Sequence, residues 1–406
     1  MSGTVARSLA VASALLVALA VTGLSGQTLA AGQTPEIHPG RLDDPGEPAI
    51  DTRGWRTDFS ISSVLFSEIV AGGPPRDGIP AIEMPIFESI DAADDWLAGK
   101  APVIALEIDG DARAYPLAIL SSHEIVNDSV GGVPVVVTFC PLCNTALVFE
   151  RTLSDIVHEF GTTGNLRYGD LIMYDRSTES WWQQATGHAI VGELTGSRLV
   201  FRASQLIGLD QFADAWPGGL VLSRDTGYER RYRDSPYAGH DSVNRHLVFV
   251  SGEPVDGISP KERVVTVGVD GEGIAIPHSR LREVGVVAES YKGGPIVVFW
   301  EPRTPATPDE GADDANREVG STGVFSPIID GRRLTFSRAR AEGTPIMDDQ
   351  TSSTWAVSGR AIDGPLAGRS LESIPHGDHY WFAWAAFAPD TRIWSADRPG
   401  LSAEAD

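Results

Sequence analysis

Residues 103–116 align without a gap to residues 264–277, an offset of 161, with Asp109-Gly110 falling on Asp270-Gly271. The same offset carries residues 132–141 onto 293–302. Farther on, Met173 and Asp175 meet Met347 and Asp349 at an offset of 174, and Gly187, Gly192, Gly196 and Pro217 meet Gly359, Gly364, Gly368 and Pro389 at 172. Landmarks in one order over so long a stretch predict one domain built twice, which limits the 406-residue chain to folds of about half its length. The first copy is expected at 59–250 and the second at 251–398, with an N-terminal extension at 31–58 and a tail at 399–406.

Within each copy the local pattern is mostly strand. Residues 103–108, 133–139, 146–149 and 298–300 are short β-branched or aromatic runs bounded by Gly, Pro and Asp. Short helices are expected at 116–122 and 204–216, and no stretch of the mature chain holds a 3.6-residue period beyond about fifteen residues. The expected fold is a β-rich α+β domain in two tandem copies. Residues 303–323, rich in Pro, Asp and Gly, read as a solvated loop.

The copies differ in their reactive residues. Cys140 becomes Glu301, Cys143 becomes Thr304, Arg113 becomes Ile274 and His123 becomes Val284, while the glycines, prolines and apolar positions that shape a backbone persist. The second copy is therefore a degenerate one.

The first thirty residues read as a signal peptide. Arg7 gives a short positive start, residues 9–24 are mostly Ala, Val and Leu, and Thr28-Leu29-Ala30 offers small residues for cleavage near Ala30. No later run reaches the roughly 18 apolar residues needed to cross a bilayer, so a secreted or extracytoplasmic protein is expected. The net charge of −23 comes from 55 acidic against 32 basic residues. Such a surface repels phosphate backbones and makes a nucleic-acid partner a poor reading; the expected partner is a redox protein or a small molecule.

Only two cysteines exist, in Cys140-Pro141-Leu142-Cys143. A bridge across two residues closes too small a loop to stabilise much through chain entropy, so the pair reads as chemical, with an inert buried pair as the plain alternative. Two chemistries use the spacing. In thiol redox work one thiolate attacks a disulfide or peroxide and its neighbour resolves the product; in metal work both thiolates hold one soft ion. Residues 145–149 look like a strand rather than a helix, so no helix N-terminus is expected to acidify the thiol.

Four ligands are usual for a structural zinc, and His123, His158 and His188 could supplement the cysteines, as could Met173 for cuprous copper. His123 stands open between a ligand, an imidazolium lowering a cysteine pKa, and a hydrogen-bonded loop residue. Asp175 and Arg176 suit an ordinary ion pair or an orienting role, Arg113 shares a strand with Tyr115, and His376-Gly377-Asp378-His379 is a weak metal motif in the copy without cysteines. The chain has no Gly-x-Ser-x-Gly, His-Glu-x-x-His or phosphate-loop motif, which weakens hydrolase and nucleotide readings.

Five ordered motifs together resemble the DUF3179 family. They are residues 72–82, Ala112-Arg113-Ala114-Tyr115-Pro116, His123-Glu124-Ile125-Val126-Asn127-Asp128, Val137-Thr138-Phe139-Cys140-Pro141-Leu142-Cys143, and Met173-Tyr174-Asp175-Arg176, within a match over about 60–395. The family's function is unknown. Some members are described as selenoproteins with selenocysteine in the cysteine motif, and carried onto Cys140 or Cys143 this implies redox chemistry.

The leading expectation is an exported thiol-disulfide or peroxide-reducing protein without a cofactor. Cys140 would attack and Cys143 resolve, with His123, Arg113 and Asp175 around them. The first alternative is an extracytoplasmic copper- or zinc-binding or metal-delivery module using Cys140, Cys143, His123 and Met173. The second is a non-catalytic ligand-binding β protein.

Overall fold

The β-branched runs pair into antiparallel ladders whose registers recur along the chain. The computed structural model describes residues 40–232, 236–237, 239–240, 258–268, 273–305, 318–338 and 344–396. The expected signal peptide, its cleavage site and residues 306–317 of the expected loop lie outside these.

In the first half the order is β1 (Pro102–Ile108), β2 (Asp111–Pro116), α1 (Leu117–His123), β3 (Ile125–Val130), β4 (Val133–Cys140), β5 (Thr145–Glu150), β6 (Phe160–Arg167), β7 (Asp170–Asp175), β8 (Trp181–Gln183), β9 (His188–Val191), β10 (Gln205–Gly208), α2 (Leu209–Ala215) and β11 (Leu220–Leu222). The second half runs β12 (Arg263–Val267), β13 (Ile274–Pro277), α3 (His278–Val284), β14 (Val286–Tyr291), β15 (Gly294–Glu301), β16 (Ser321–Ser326), β17 (Phe336–Arg338), β18 (Ile346–Asp348), β19 (Thr354–Trp355), β20 (Ala361–Asp363), β21 (Gly377–Tyr380), α4 (Trp381–Phe387) and β22 (Arg392–Ile393).

Strand registers correspond between the halves. Val103 faces Pro116 across β1–β2, as Val264 faces Pro277 across β12–β13. Ile125 faces Thr138 across β3–β4, as Val286 faces Phe299 across β14–β15. Each half also ends with a short strand added in parallel, Val221 beside Ala114 and Ile393 beside Ala275. The helix expected at 204–216 is half strand: Gln205–Gly208 pairs with β1, and the helix begins only at Leu209. Its four leading residues include none that blocks an extended backbone, and ladder pairing with β1 wins.

Hydrogen bonds correct one sequence pairing. The Asp175 carboxylate accepts from Thr178 N–H, Thr178 Oγ1 and Trp182 Nε1, the last at 3.1 Å. Asp348 accepts from Thr351 N–H, Thr351 Oγ1 and Trp355 Nε1, again at 3.1 Å for the last. Asp348 thus does what Asp175 does, one residue before the Asp349 that aligned with it. Met173-Tyr174-Asp175 and Met347-Asp348-Asp349 each offer an aspartate two residues after methionine, so residue matching alone misplaced the pair by one.

The halves are interleaved. One sheet runs β22-β13-β12-β21-β5-β4-β3, so second-half strands continue directly into the first-half hairpin that carries the cysteines. The junction is Asp378 opposite Ala146, followed by Tyr380 N–H on the Cys143 carbonyl at 2.8 Å. Reciprocally, Gln205 at the start of β10 donates to the carbonyls of Thr322 and Val357 in the second half. One apolar core includes Val103, Leu120 and Val137 together with Phe299, Phe325 and Trp355. A separate apolar cluster with Val136, Leu147, Met173, Trp182 and Ala383 encloses both cysteines. Among the described residues no helix is long and apolar enough to cross a membrane.

Candidate functional site

The cysteines sit in the turn joining β4 to β5. Cys140 ends one strand opposite Thr145, which begins the other, and the Cys143 N–H reaches the Cys140 carbonyl at 3.2 Å. Asn144 closes the turn with φ +51°, a left-handed conformation that asparagine tolerates better than most residues. The chain then continues as a strand rather than a helix.

Both thiols are free and shut away, Cys140 2% and Cys143 0% exposed. The Cys143 thiol donates to the Gly169 carbonyl at 3.0 Å. Gly169 belongs to the β6–β7 turn, where Tyr168 (φ +53°) and Gly169 (φ +82°) reverse the chain tightly and deliver Asp170 to the same place. An Asp170 carboxylate oxygen and the two Sγ atoms all lie within 4.8 Å of one another. On Asp170, Oδ2 accepts from Gln183 Nε2 at 2.6 Å and from the Ala185 N–H at 2.9 Å. Oδ1 is buried, no N–H or hydroxyl among the described residues reaches it, and the two thiols are the polar groups beside this carboxyl.

The electrostatics follow from burial among acids. Burial pushes the Asp170 carboxyl up to about 7, against the pull of the Ala185 N–H, the Gln183 amide and the two cysteine thiols. Burial likewise raises the Cys140 thiol, and it raises Cys143 well above the ordinary thiol value, with Asp170 adding to both. Glu124, buried at the end of α1, is pushed up to about 7 by burial despite a hydrogen bond from the Tyr237 hydroxyl at 3.0 Å. Three acidic groups therefore converge with a fourth nearby. This arrangement suits protonated thiols or a bound cation better than a free thiolate.

The residues expected to surround the sulfurs are placed elsewhere or already occupied. His123 is buried, with Nδ1 donating to the Pro80 carbonyl at 2.7 Å and Nε2 accepting from the Tyr232 hydroxyl at 2.8 Å, so neither nitrogen is left for a metal or a thiol. Burial lowers its pKa and keeps it neutral, which removes the imidazolium role. Arg113 lies between Asp111 and Asp128, over the Phe87 ring. Asp175 is saturated by Ser177, Thr178 and Trp182, and His158 stands against it and Ser177. His188 is half-buried in β9 and is not gathered with the sulfurs. Met173 lies in the apolar cluster that contains both cysteines.

Asp170 and Glu124 are the site residues that motif reading missed. Tyr168-Gly169-Asp170 reads as a hairpin turn and carried no chemical signal. Glu124 did carry one, because the 161-residue offset places it on Gly285.

The second half fills the equivalent turn differently. Gln211 of α2 donates toward Glu301 and the Pro302 carbonyl, and its Oε1 accepts from Thr304 and Ser321. In the first half Ala383 of α4 is in the cluster around the sulfurs, with Phe382 packed against it. Each turn is thus covered by the other half's helix, by an amide network in one case and by apolar side chains in the other.

No curated protein and no solved structure matches the chain. The model of one family, described as a protein of unknown function, DUF3179, matches residues 76–391, a span that contains Glu124, both cysteines and Asp170. That match covers most of the chain, and the protein belongs to the DUF3179 family.

Proposed function

We propose that Cys140, Cys143 and Asp170 form a metal centre that holds one zinc ion, in an exported protein that arose by duplication and kept the centre in one half. The observation that carries this reading is the buried Asp170 Oδ1, which no N–H or hydroxyl among the described residues reaches, facing two thiols whose Sγ atoms lie within 4.8 Å of each other and of an Asp170 carboxylate oxygen. Leaving a buried carboxylate oxygen unpaired costs roughly 1–3 kcal/mol or more, and an ion at that point removes the cost. It also supplies the positive charge that the three acids lack.

The donor set favours zinc. Two thiolates with a carboxylate suit a borderline divalent ion, whereas cuprous copper prefers sulfur alone. Metal binding releases the thiol protons that burial otherwise retains. Three protein donors leave a fourth coordination position, the pattern of zinc sites that act on a ligand rather than staple a fold. Closure of both sulfurs from solvent suits an ion and disfavours attack on a bulky protein disulfide.

A second reading rests on the adjacency of the two sulfurs. An incoming disulfide would be reduced to two thiols while Cys140 and Cys143 are oxidised to a disulfide. Asp170, titrating near 7, would take up a thiol proton and pass it to the leaving sulfur. Elemental analysis and thiol counting separate the two. Protein desalted into metal-free buffer is expected to retain about one zinc per chain, and Cys140→Ser, Cys143→Ser and Asp170→Asn are each expected to lose it. A wild-type protein that stays metal-poor and cycles between two thiols and none overturns the zinc reading in favour of the redox one.

A further inference from the structure

Helices α1 and α3 end in the same way with different residues. Their caps are Glu124 and Gly285, which the 161-residue offset superposes, and the cap N–H bonds back to Leu120 O in one and Leu281 O in the other. Both caps have left-handed backbone, φ +59° at Glu124 and +74° at Gly285. Glycine takes that conformation without steric cost, whereas a residue with a Cβ is strained there.

The strained choice goes together with the cysteines. In the second half, where their positions hold Glu301 and Thr304, the cap is glycine. Glu124 is 6% exposed, so its carboxyl is buried as well as its backbone strained. Its Oε1 accepts from the Tyr237 hydroxyl, and its carbonyl accepts from the N–H of Phe139, the residue next to Cys140, at 2.8 Å. A cap needs no buried carboxyl, and Gly285 makes the same turn without one. Departures from local preference that persist beside a reactive cluster mark function.

We infer that Glu124 is a positioning residue of the sulfur centre, a second carboxyl that lies outside the donor set and stabilises the cation held by Cys140, Cys143 and Asp170. The inference rests on the zinc reading. In a buried site a carboxylate near an ion is weakly screened, and its removal is felt as lost affinity.

The test pairs zinc affinity, from competition with a chromophoric chelator at pH 8, with the thermal midpoint of the metal-free protein. Four proteins are compared: wild type, Glu124→Gly, Glu124→Gln and Lys292→Gly. The last relieves a left-handed backbone, φ +47°, at an exposed turn of the second half. Glu124→Gly is expected to raise the metal-free midpoint while weakening zinc binding at least about tenfold. Glu124→Gln keeps the side-chain length and a partner for Tyr237, and it is expected to show the same loss of affinity without relief of the backbone. Lys292→Gly is expected to leave zinc affinity unchanged. If wild type binds zinc and both Glu124 variants bind it within about twofold as tightly, Glu124 is only a helix cap and the inference falls while the zinc reading stands. If wild type binds no zinc, the zinc reading fails and takes the inference with it.

Discussion

Asp170→Asn removes one charge from the sulfur centre and almost nothing else. The donors on Oδ2, Gln183 Nε2 and the Ala185 N–H, still meet an oxygen if the asparagine carbonyl takes that place. The folded protein holds the Asp170 carboxyl at about 7 against an ordinary 3.8, because burial penalises the anion. Each pKa unit corresponds to ~1.4 kcal/mol, so in the metal-free protein ionised Asp170 costs about 4 kcal/mol of stability. Below pH 3.8 the residue is protonated in both folded and unfolded chains and costs nothing. As pH rises toward 7 the unfolded chain loses the proton first, and native stability is lost through that window. Asparagine cannot ionise, so the variant escapes this loss. Urea unfolding with a chelator present is therefore expected to show Asp170→Asn more stable than wild type by about 1–2 kcal/mol at pH 5 and about 4 kcal/mol at pH 8. Glu124 titrates in the same range in both proteins, and its effect largely cancels in the difference. If the variant is destabilised equally at the two pH values, Asp170 is not an uncompensated buried acid and the argument for an ion fails at its root.

Two further outcomes follow from the packing. With metal removed, the two native thiols are expected to react with a disulfide reagent at least about a hundredfold more slowly than in urea, because both are buried and their pKa values are raised; rates within about tenfold of the unfolded protein would mean that the sulfurs are open to solvent. Gly187→Ala and Gly359→Ala are each expected to cost about 2 kcal/mol or more in chemical denaturation. A Cβ would meet the Phe149 ring at 2.7 Å in the first case and run into the Phe325 ring in the second, both at left-handed backbone. A large cost in only one of them would argue that the two halves do not share this contact.

Much of the site's scaffold was legible in the sequence. The strand at 133–139, the strand after the cysteines and the short helix before His123 follow from local patterns, because β-branched runs bounded by Gly and Pro pair with sequence neighbours. The chemistry around the sulfurs was less legible. His123 looked like the best companion for the cysteines because it is polar and close in sequence, yet the end of α1 turns its imidazole toward Pro80 and Tyr232. Asp170 is twenty-seven residues beyond Cys143, in a turn whose sequence speaks only of chain reversal. Glu124 could have been found, because a Glu matched to a Gly at a helix end is a local conflict that the 161-residue alignment displays on its own.

By itself the sequence placed its two cysteines in one short turn between two strands of a β-rich chain. This is a property of neighbours, fixed by backbone preference and by side chains a few positions apart. Only the tertiary structure decided that β21 and α4 of the second half close over the first half's cysteines, that Asp170 faces them, and that every expected basic companion is tied up elsewhere. Sheet pairing across the halves depends on contacts between residues more than two hundred positions apart, as between Asp378 and Ala146, and the direction of the His123 side chain at the end of α1 on Pro80 and Tyr232, 43 and 109 positions away. No local pattern encodes which face of a distant strand will meet which turn.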